Sequence, residues 1–194
     1  MKKINFFLIV IMSIINTFAV FQIGSVHPDR MGPIIIFYLC LWLPFLLKKI
    51  HPSILFVYLV FIILSQYIGS ILNMYKYLWW YDLFTHSLSG FLCGYLAIYL
   101  LYHFRHMKKN DLTFQIIFVI CFVLSIALIW EFLEFGADFF LKMNTQHSIE
   151  TGVQDTMEDL LVASLGGVLF IGCYSFEVIK SKIGITRFLI KHMD

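Results

Sequence analysis

An apolar stretch runs from Thr113 to Phe140 with few interruptions, longer than the ~20 residues a helix needs to cross a bilayer. Lipid offers no water to backbone N–H and C=O groups, so a stretch of this kind is confined to a helix. Five further runs approach the same length: Ile4–Gly24, Gly32–Leu47, Ser53–Leu72, Leu83–Tyr102 and Asp155–Phe176. The second is short and carries Pro44. Together they predict an all-α fold, a polytopic transmembrane helical bundle of six spans. One membrane domain is expected over residues 1–180, with a basic tail over residues 181–194. Charged residues make up 13% of the chain, against about 25% in soluble domains. The expected surroundings are the lipid bilayer, with no nucleic acid as partner.

Loop charges orient the spans. Lys2, Lys3, Lys48, Lys49, Arg105, Lys108, Lys109, Lys180, Lys182, Arg187 and Lys191 fall on one side; Arg30, Lys76 and Lys142 fall on the other. The positive side is cytoplasmic, which places both termini there. Lys2-Lys3 followed by Ile4–Ile15 has the form of a signal peptide, but the apolar stretch continues past Ala19 to Ile23. That favours an uncleaved first helix. Cys40, Cys93, Cys121 and Cys173 all lie in apolar runs with no CxxC spacing, so neither a disulfide framework nor a thiolate metal site is expected. The segment Asn73–Tyr81, with Tyr75, Tyr77, Trp79, Trp80 and Tyr81, reads as an outer loop carrying an aromatic belt at the headgroup level.

The fifth run ends in Trp130-Glu131-Phe132-Leu133-Glu134-Phe135-Gly136-Ala137-Asp138. Ionisable side chains at membrane depth are costly and mark function. Glu131, Glu134 and Asp138 share one helical face; Asp82/His86 on the fourth run and Asp155/Asp159 on the sixth are i, i+4 pairs. The predicted topology puts the start of the fourth and sixth spans and the end of the fifth at one outer level. All carboxylates within these three spans then line one pocket with His86: Asp82, Glu131, Glu134, Asp138, Asp155, Glu158 and Asp159. No Lys or Arg lies in the outer halves of these runs. So many carboxylates cannot all stay ionised in low dielectric without cations or retained protons.

Oxygen ligands with one imidazole suit Mg²⁺, Mn²⁺, Fe²⁺ or Zn²⁺, so a divalent metal is the expected cofactor. His86, Glu131, Glu134 and Asp159 are the candidate ligands. Asp82, Asp138 and Asp155 are the candidate catalytic groups, as general base to a metal-activated water or as partners of the ligands. Local alternatives stand beside this reading. Asp155 with Glu158 fits a variant capping box, Asp82 fits a helix cap, and Asp138 fits a solvated helix end. Gly166, Gly167 and Gly172, with Ala163 and Ser164, form a small-residue stripe expected in close helix packing. Trp130 reads as interface or packing. The polar loop Leu141–Gln154 is either a turn or a substrate-contacting loop over the pocket.

Asp82 with His86, then Trp130-Glu131, Glu134 and Asp138, then Asn144-Thr145-Gln146, then Gly152-Val153-Gln154-Asp155-Thr156-Met157-Glu158-Asp159-Leu160 resemble the motif series of the YjdF-type inner-membrane family. Asp82/His86 and Asp159-Leu160 followed by Leu165-Gly166-Gly167 resemble, more distantly, VanZ-like membrane proteins. In that pattern Ser164 departs from a polar residue such as Asn. The resemblance spans roughly residues 81–170 and implies a multi-pass protein of the bacterial cytoplasmic membrane. The YjdF-type family implies no activity; the VanZ-like one implies a role in glycopeptide resistance.

Three functions follow as expectations. The first is a divalent-metal-dependent enzyme acting on a phosphorylated or lipid-linked small molecule. The second is a proton- or cation-coupled transporter, since buried carboxylates also serve as relays. The third is a non-catalytic envelope or antibiotic-resistance accessory protein that binds a precursor or drug.

Overall fold

The computed structural model describes residues 2–23, 31–45, 52–104, 111–141, 152–180, 184 and 186. Helices are the only regular elements among them: α1 Lys2–Ile23, α2 Met31–Trp42, α3 Pro52–Ile62, α4 Met74–Tyr77, α5 Tyr81–His103, α6 Leu112–Leu141 and α7 Gln154–Ile179. Among the described residues, five helical stretches are long and apolar enough to cross a membrane; the stretch in α2 falls short of that length. The chain divides into two compact units, Met1–Tyr81 and Asp82–Asp194.

In the first unit, α1 buries one stripe: Asn5, Ile9, Met12, Asn16 and Ala19. Steps of four and three residues keep these on one face. Phe7, Ile14, Phe18 and Phe21 are exposed elsewhere on the helix, as suits contact with lipid. The stripe packs into a core with Ile34, Phe37, Leu41, Leu59, Ile62 and Ile71. Apolar burial does not drive helices together when the solvent is itself apolar, and interhelical hydrogen bonds supplement the packing. Asn5 donates to the carbonyl of Pro52 (2.7 Å) and Asn16 to that of Ile34 (3.1 Å). The Tyr38 hydroxyl donates to the Ser13 carbonyl (2.9 Å) and pairs with Thr17.

The third apolar run is not a uniform α-helix. From Ile63 to Ile71 it widens into a π-helix, and Leu72 N–H donates to Tyr67 five residues back (2.9 Å). Segment 73–81, expected to be a loop, contains helix α4. Asn73 turns the chain with φ +65°, a conformation Asn tolerates better than most residues. Tyr75 lies against Gly69, where a Cβ would collide with its ring. The Tyr81 hydroxyl donates to the carbonyl of Leu64 (3.0 Å). These contacts turn part of the aromatic segment inward. Tyr77 and Trp79 remain exposed, as a belt requires.

The second unit is built on close approach of α5 to α7. A Cβ on Gly90 would strike the carbonyl of Ala163, and one on Gly166 would strike the carbonyl of Ser87. Small residues at i, i+3 on both helices therefore bring backbone against backbone. Phe170 fills the next layer, edge-on to Phe91 and stacked with Tyr174. Gly167 receives Val123 of α6. Gly172, expected in the same stripe, meets nothing within 4 Å; it is exposed, on the face of α7 opposite the buried Phe170.

An antiparallel register fixes α6 on α7. The Tyr174 hydroxyl donates to Gln115 Oε1 (2.7 Å) inside the seam. Roughly two turns along α6, Val123 packs on Gly167, and about two turns further Glu131 comes level with Asp159. The helix α7 also runs past the expected end at Phe176, which brings in Glu177. This carboxylate is buried and accepts a hydrogen bond from the Thr186 hydroxyl (2.6 Å). Glu177 lies beyond the expected span and outside the acidic level of Asp155 and Asp159: it sits at the opposite end of α7, where Thr186 supplies its donors. The four cysteines are free.

Candidate metal centre

Helices α5, α6 and α7 each bring acidic groups to one place. On α5, Asp82 and His86 are one turn apart, and Asp82 Oδ1 lies 3.5 Å from His86 Nε2. The same Nε2 lies 3.7 Å from Asp159 Oδ2 on α7. The imidazole therefore stands between two carboxylates from different helices. Its position follows from the crossing below it: His86 directly precedes Ser87, and Asp159 is one turn before Ala163. Backbone contact at those two residues leaves the side chains above them little room to diverge.

From α6, Glu131 and Glu134 approach Asp159 on its other side. Two sets of ligand atoms each lie within 4.8 Å of one another: Asp82, His86 and Asp159, and Glu131, Glu134 and Asp159. Asp159 belongs to both. It is 3% exposed and Glu131 is 4% exposed, so both are withdrawn from solvent and lipid alike. Asp82 and His86 retain 26% and 14% side-chain exposure, and Glu134 is half-buried. The N-terminal end of α5, with its partial positive charge, favours Asp82 there.

Trp130 has a role that its position in the sequence left open. Its indole Nε1 donates to Glu134 Oε1 (2.8 Å), one turn along α6. The signal was present as a Trp four residues before a Glu on one helix face.

The remaining expected residues divide. Asp155 lies close enough to act electrostatically on His86, Glu134 and Asp159, so it faces the cluster from the first turn of α7. Val153, not Asp155, is the N-cap, and its own side chain makes no capping hydrogen bond. The capping-box expectation is therefore corrected: the helix starts two residues earlier than that motif requires. Glu158 leaves the pocket. It is exposed and accepts a hydrogen bond from Gln154 (2.7 Å), because one residue from Asp159 rotates it away from the shared face. On α5, which begins at Tyr81, Asp82 lies in the first turn. Asp138 is half-buried one turn beyond Glu134 and is absent from both ligand sets among the described residues. The loop Leu141–Gln154 with Asn144-Thr145-Gln146 falls mostly outside the described residues. So do Arg30, Lys48, Lys49, Arg105, Lys108, Lys109, Lys142 and His147, and the tail 181–194 apart from Gly184 and Thr186.

Around the carboxylates the surface is apolar. Phe132, Leu133, Phe135 and Phe139 of α6 are exposed at the level of Glu131 and Glu134. A buried acidic cluster inside an apolar belt is the arrangement found where membrane proteins do chemistry or move ions.

The chain belongs to the family described as "Predicted membrane protein (DUF2238)", whose sequence model matches residues 2–178. YjdF-type proteins fall within that family, in keeping with the motif resemblance; the likeness to VanZ-like proteins gains no support from it. No curated protein matches the chain, and no solved structure matches it.

Proposed function

We propose that this member of the family is a divalent-metal-dependent membrane enzyme. Its centre binds at the outer ends of α5, α6 and α7 and acts on a phosphorylated or lipid-linked small molecule. The observation that carries the reading is the convergence on Asp159 of ligand atoms from all three helices. Carboxylates with one imidazole are hard or borderline donors that suit Mg²⁺, Mn²⁺, Fe²⁺ or Zn²⁺. A bound divalent ion supplies Lewis acidity toward phosphoryl or carbonyl oxygens and lowers the pKa of a bound water.

The chain's own groups divide the work. His86, Glu131, Glu134 and Asp159 hold the ion. Asp82 sits within the His86 ligand set and joins them. Asp155, nearby but in neither set, is the general base; Asp138 is placed to contact substrate at the rim. The exposed Phe132, Leu133, Phe135 and Phe139 suit a substrate with an acyl or prenyl tail lying in the bilayer and its polar head at the cluster.

This reading takes the protein as a six-span chain with both termini cytoplasmic and the cluster on the outer side of a bacterial cytoplasmic membrane. The positive loops support that orientation. A relay through the membrane has less support. Gln115, one of the few polar groups elsewhere in the spans, is engaged with Tyr174 (2.7 Å) as a packing contact. The accessory-protein reading rests on the VanZ-like resemblance alone.

The test is metal content and metal-linked stability. Protein purified without chelator should carry a divalent ion, and its unfolding midpoint should fall when the ion is removed. Absence of any bound divalent ion, together with a Glu131→Gln variant whose stability is the same with and without added metal, would end the proposal. Phosphate release from a prenyl diphosphate in mixed micelles then tests the substrate class.

A further inference from the structure

Five ligand residues surround the cluster, yet they do not form one coordination sphere. Their atoms fall into two sets of three, and no set contains Asp82 or His86 together with Glu131 or Glu134. Ligands of one small divalent ion sit about 2.0–2.2 Å from it, so they lie within ~4.4 Å of one another. Each set meets that scale with small adjustments; all five residues together do not. Asp159 alone is common to both, and a carboxylate has two oxygens to share.

Asp159 carries a second, independent mark. It is 3% exposed, and its carboxylate accepts no hydrogen bond among the described residues. His86 Nε2 stands 3.7 Å away, beyond hydrogen-bonding distance. A carboxylate so deeply buried is ordinarily held by several donors. Its oxygens point instead into the space between the α5 ligands and the α6 ligands.

We propose that the cluster is a dinuclear centre, in which Asp159 bridges one divalent ion held with Asp82 and His86 to a second held with Glu131 and Glu134. Charge agrees with that count: the four carboxylates carry four negative charges, and two divalent ions match them. Bridged ions of this kind lie about 3.5–4 Å apart and clamp the attacking and leaving oxygens of a phosphoryl or ester group together. The inference rests on the metal reading above and extends it to number and bridge.

Mn²⁺ is the probe. The full-length protein in detergent is stripped of metal, loaded with Mn²⁺, desalted and assayed for manganese per chain, with electron paramagnetic resonance on the same samples. Two ions per chain with an exchange-coupled signal are expected for the wild type. His86→Ala and Glu134→Gln should each retain one ion per chain and show the six-line signal of isolated Mn²⁺. Asp159→Asn should lose the coupling. Saturation of the wild type at one ion per chain overturns the dinuclear centre and leaves the metal reading standing; no bound ion overturns both. If His86→Ala or Glu134→Gln removes both ions or neither while eluting as folded protein, the two-halves assignment is wrong. Those two variants carry the test even if Asp159→Asn fails to fold.

Discussion

His86 Nε2 lies 3.7 Å from Asp159 Oδ2, across a crossing where α5 and α7 touch backbone to backbone. Neither residue is placed by its own helix alone. Ser87 and Gly166 on one side, and Gly90 and Ala163 on the other, bring the two helices close enough for an imidazole and a carboxylate to share one site.

The crossing should be intolerant of side chains. Gly90→Val and Gly166→Val are expected to destabilise the protein by about 2–3 kcal/mol or more, since the added atoms meet backbone that cannot turn away. Gly172→Ala, with open space around its Cβ, should be neutral or stabilising by up to about 1 kcal/mol. Thermal unfolding in detergent, followed by size-exclusion fluorescence, separates these outcomes. Equal tolerance at Gly90 and Gly172 would contradict the packing described.

Removing the metal should cost stability in proportion to occupancy. A ligand at one hundred times its Kd stabilises the folded state by about 2.7 kcal/mol. The unfolding midpoint should fall on chelation and recover on adding Mn²⁺ or Mg²⁺. Asp159→Asn should abolish most of this difference, because the shared ligand is gone.

Metal affinity should weaken as pH falls. Ligands bind in their deprotonated forms, so imidazole and carboxylate protons compete with the ion and are released when it binds. Titration calorimetry from about pH 8 to about pH 6 should show at least roughly tenfold weaker binding at the lower value. Proton release, read from buffers of different ionisation enthalpy, should accompany it. Affinity that rises on acidification would contradict ligation by these groups.

Trp130→Phe removes the indole donor to Glu134 (2.8 Å) and keeps a ring of similar bulk. Groups that orient a metal ligand are worth about 10–100-fold in affinity. The expected result is a weaker apparent Kd with unchanged metal stoichiometry. A loss of stoichiometry would mean that Trp130 holds the helix end itself.

The Gln115–Tyr174 pair fixes the register that carries Glu131 level with Asp159. Interhelical hydrogen bonds in membranes average about 0.6 kcal/mol in double-mutant cycles. A cycle of Gln115→Leu and Tyr174→Phe should return a coupling of that order. Both single variants should also lower metal affinity, although neither touches the site. Full affinity in Gln115→Leu would show that the register is held elsewhere.

Much of this structure is legible in the residues. The apolar runs locate the long helices to within a few residues, because the bilayer permits only hydrogen-bonded helices across so long an apolar stretch. Spacing alone assigns Asp82/His86, Glu131/Glu134 and Asp155/Asp159 to single helix faces, since helical geometry is local. The π-helical turn at 63–71 was not legible, because its extra residue per turn leaves no compositional mark. Nor was the helix within 73–81, where Tyr75 turns inward onto Gly69 and Tyr81 onto Leu64. Glu158 and Asp159 differ only in rotation about one helix, and that decides which is exposed and which is buried.

By itself, the sequence determined a membrane-spanning helical chain and the three faces that carry acidic groups, because period and hydropathy are properties of neighbouring residues. Only the tertiary structure decided that Asp159 is common to both ligand sets, that Asp138 and Glu158 stand outside them, and that Glu177 belongs to another contact. Those outcomes depend on where one helix crosses another. Here that crossing is set by bare backbone at Gly90 and Gly166 and by a register pinned far from the site.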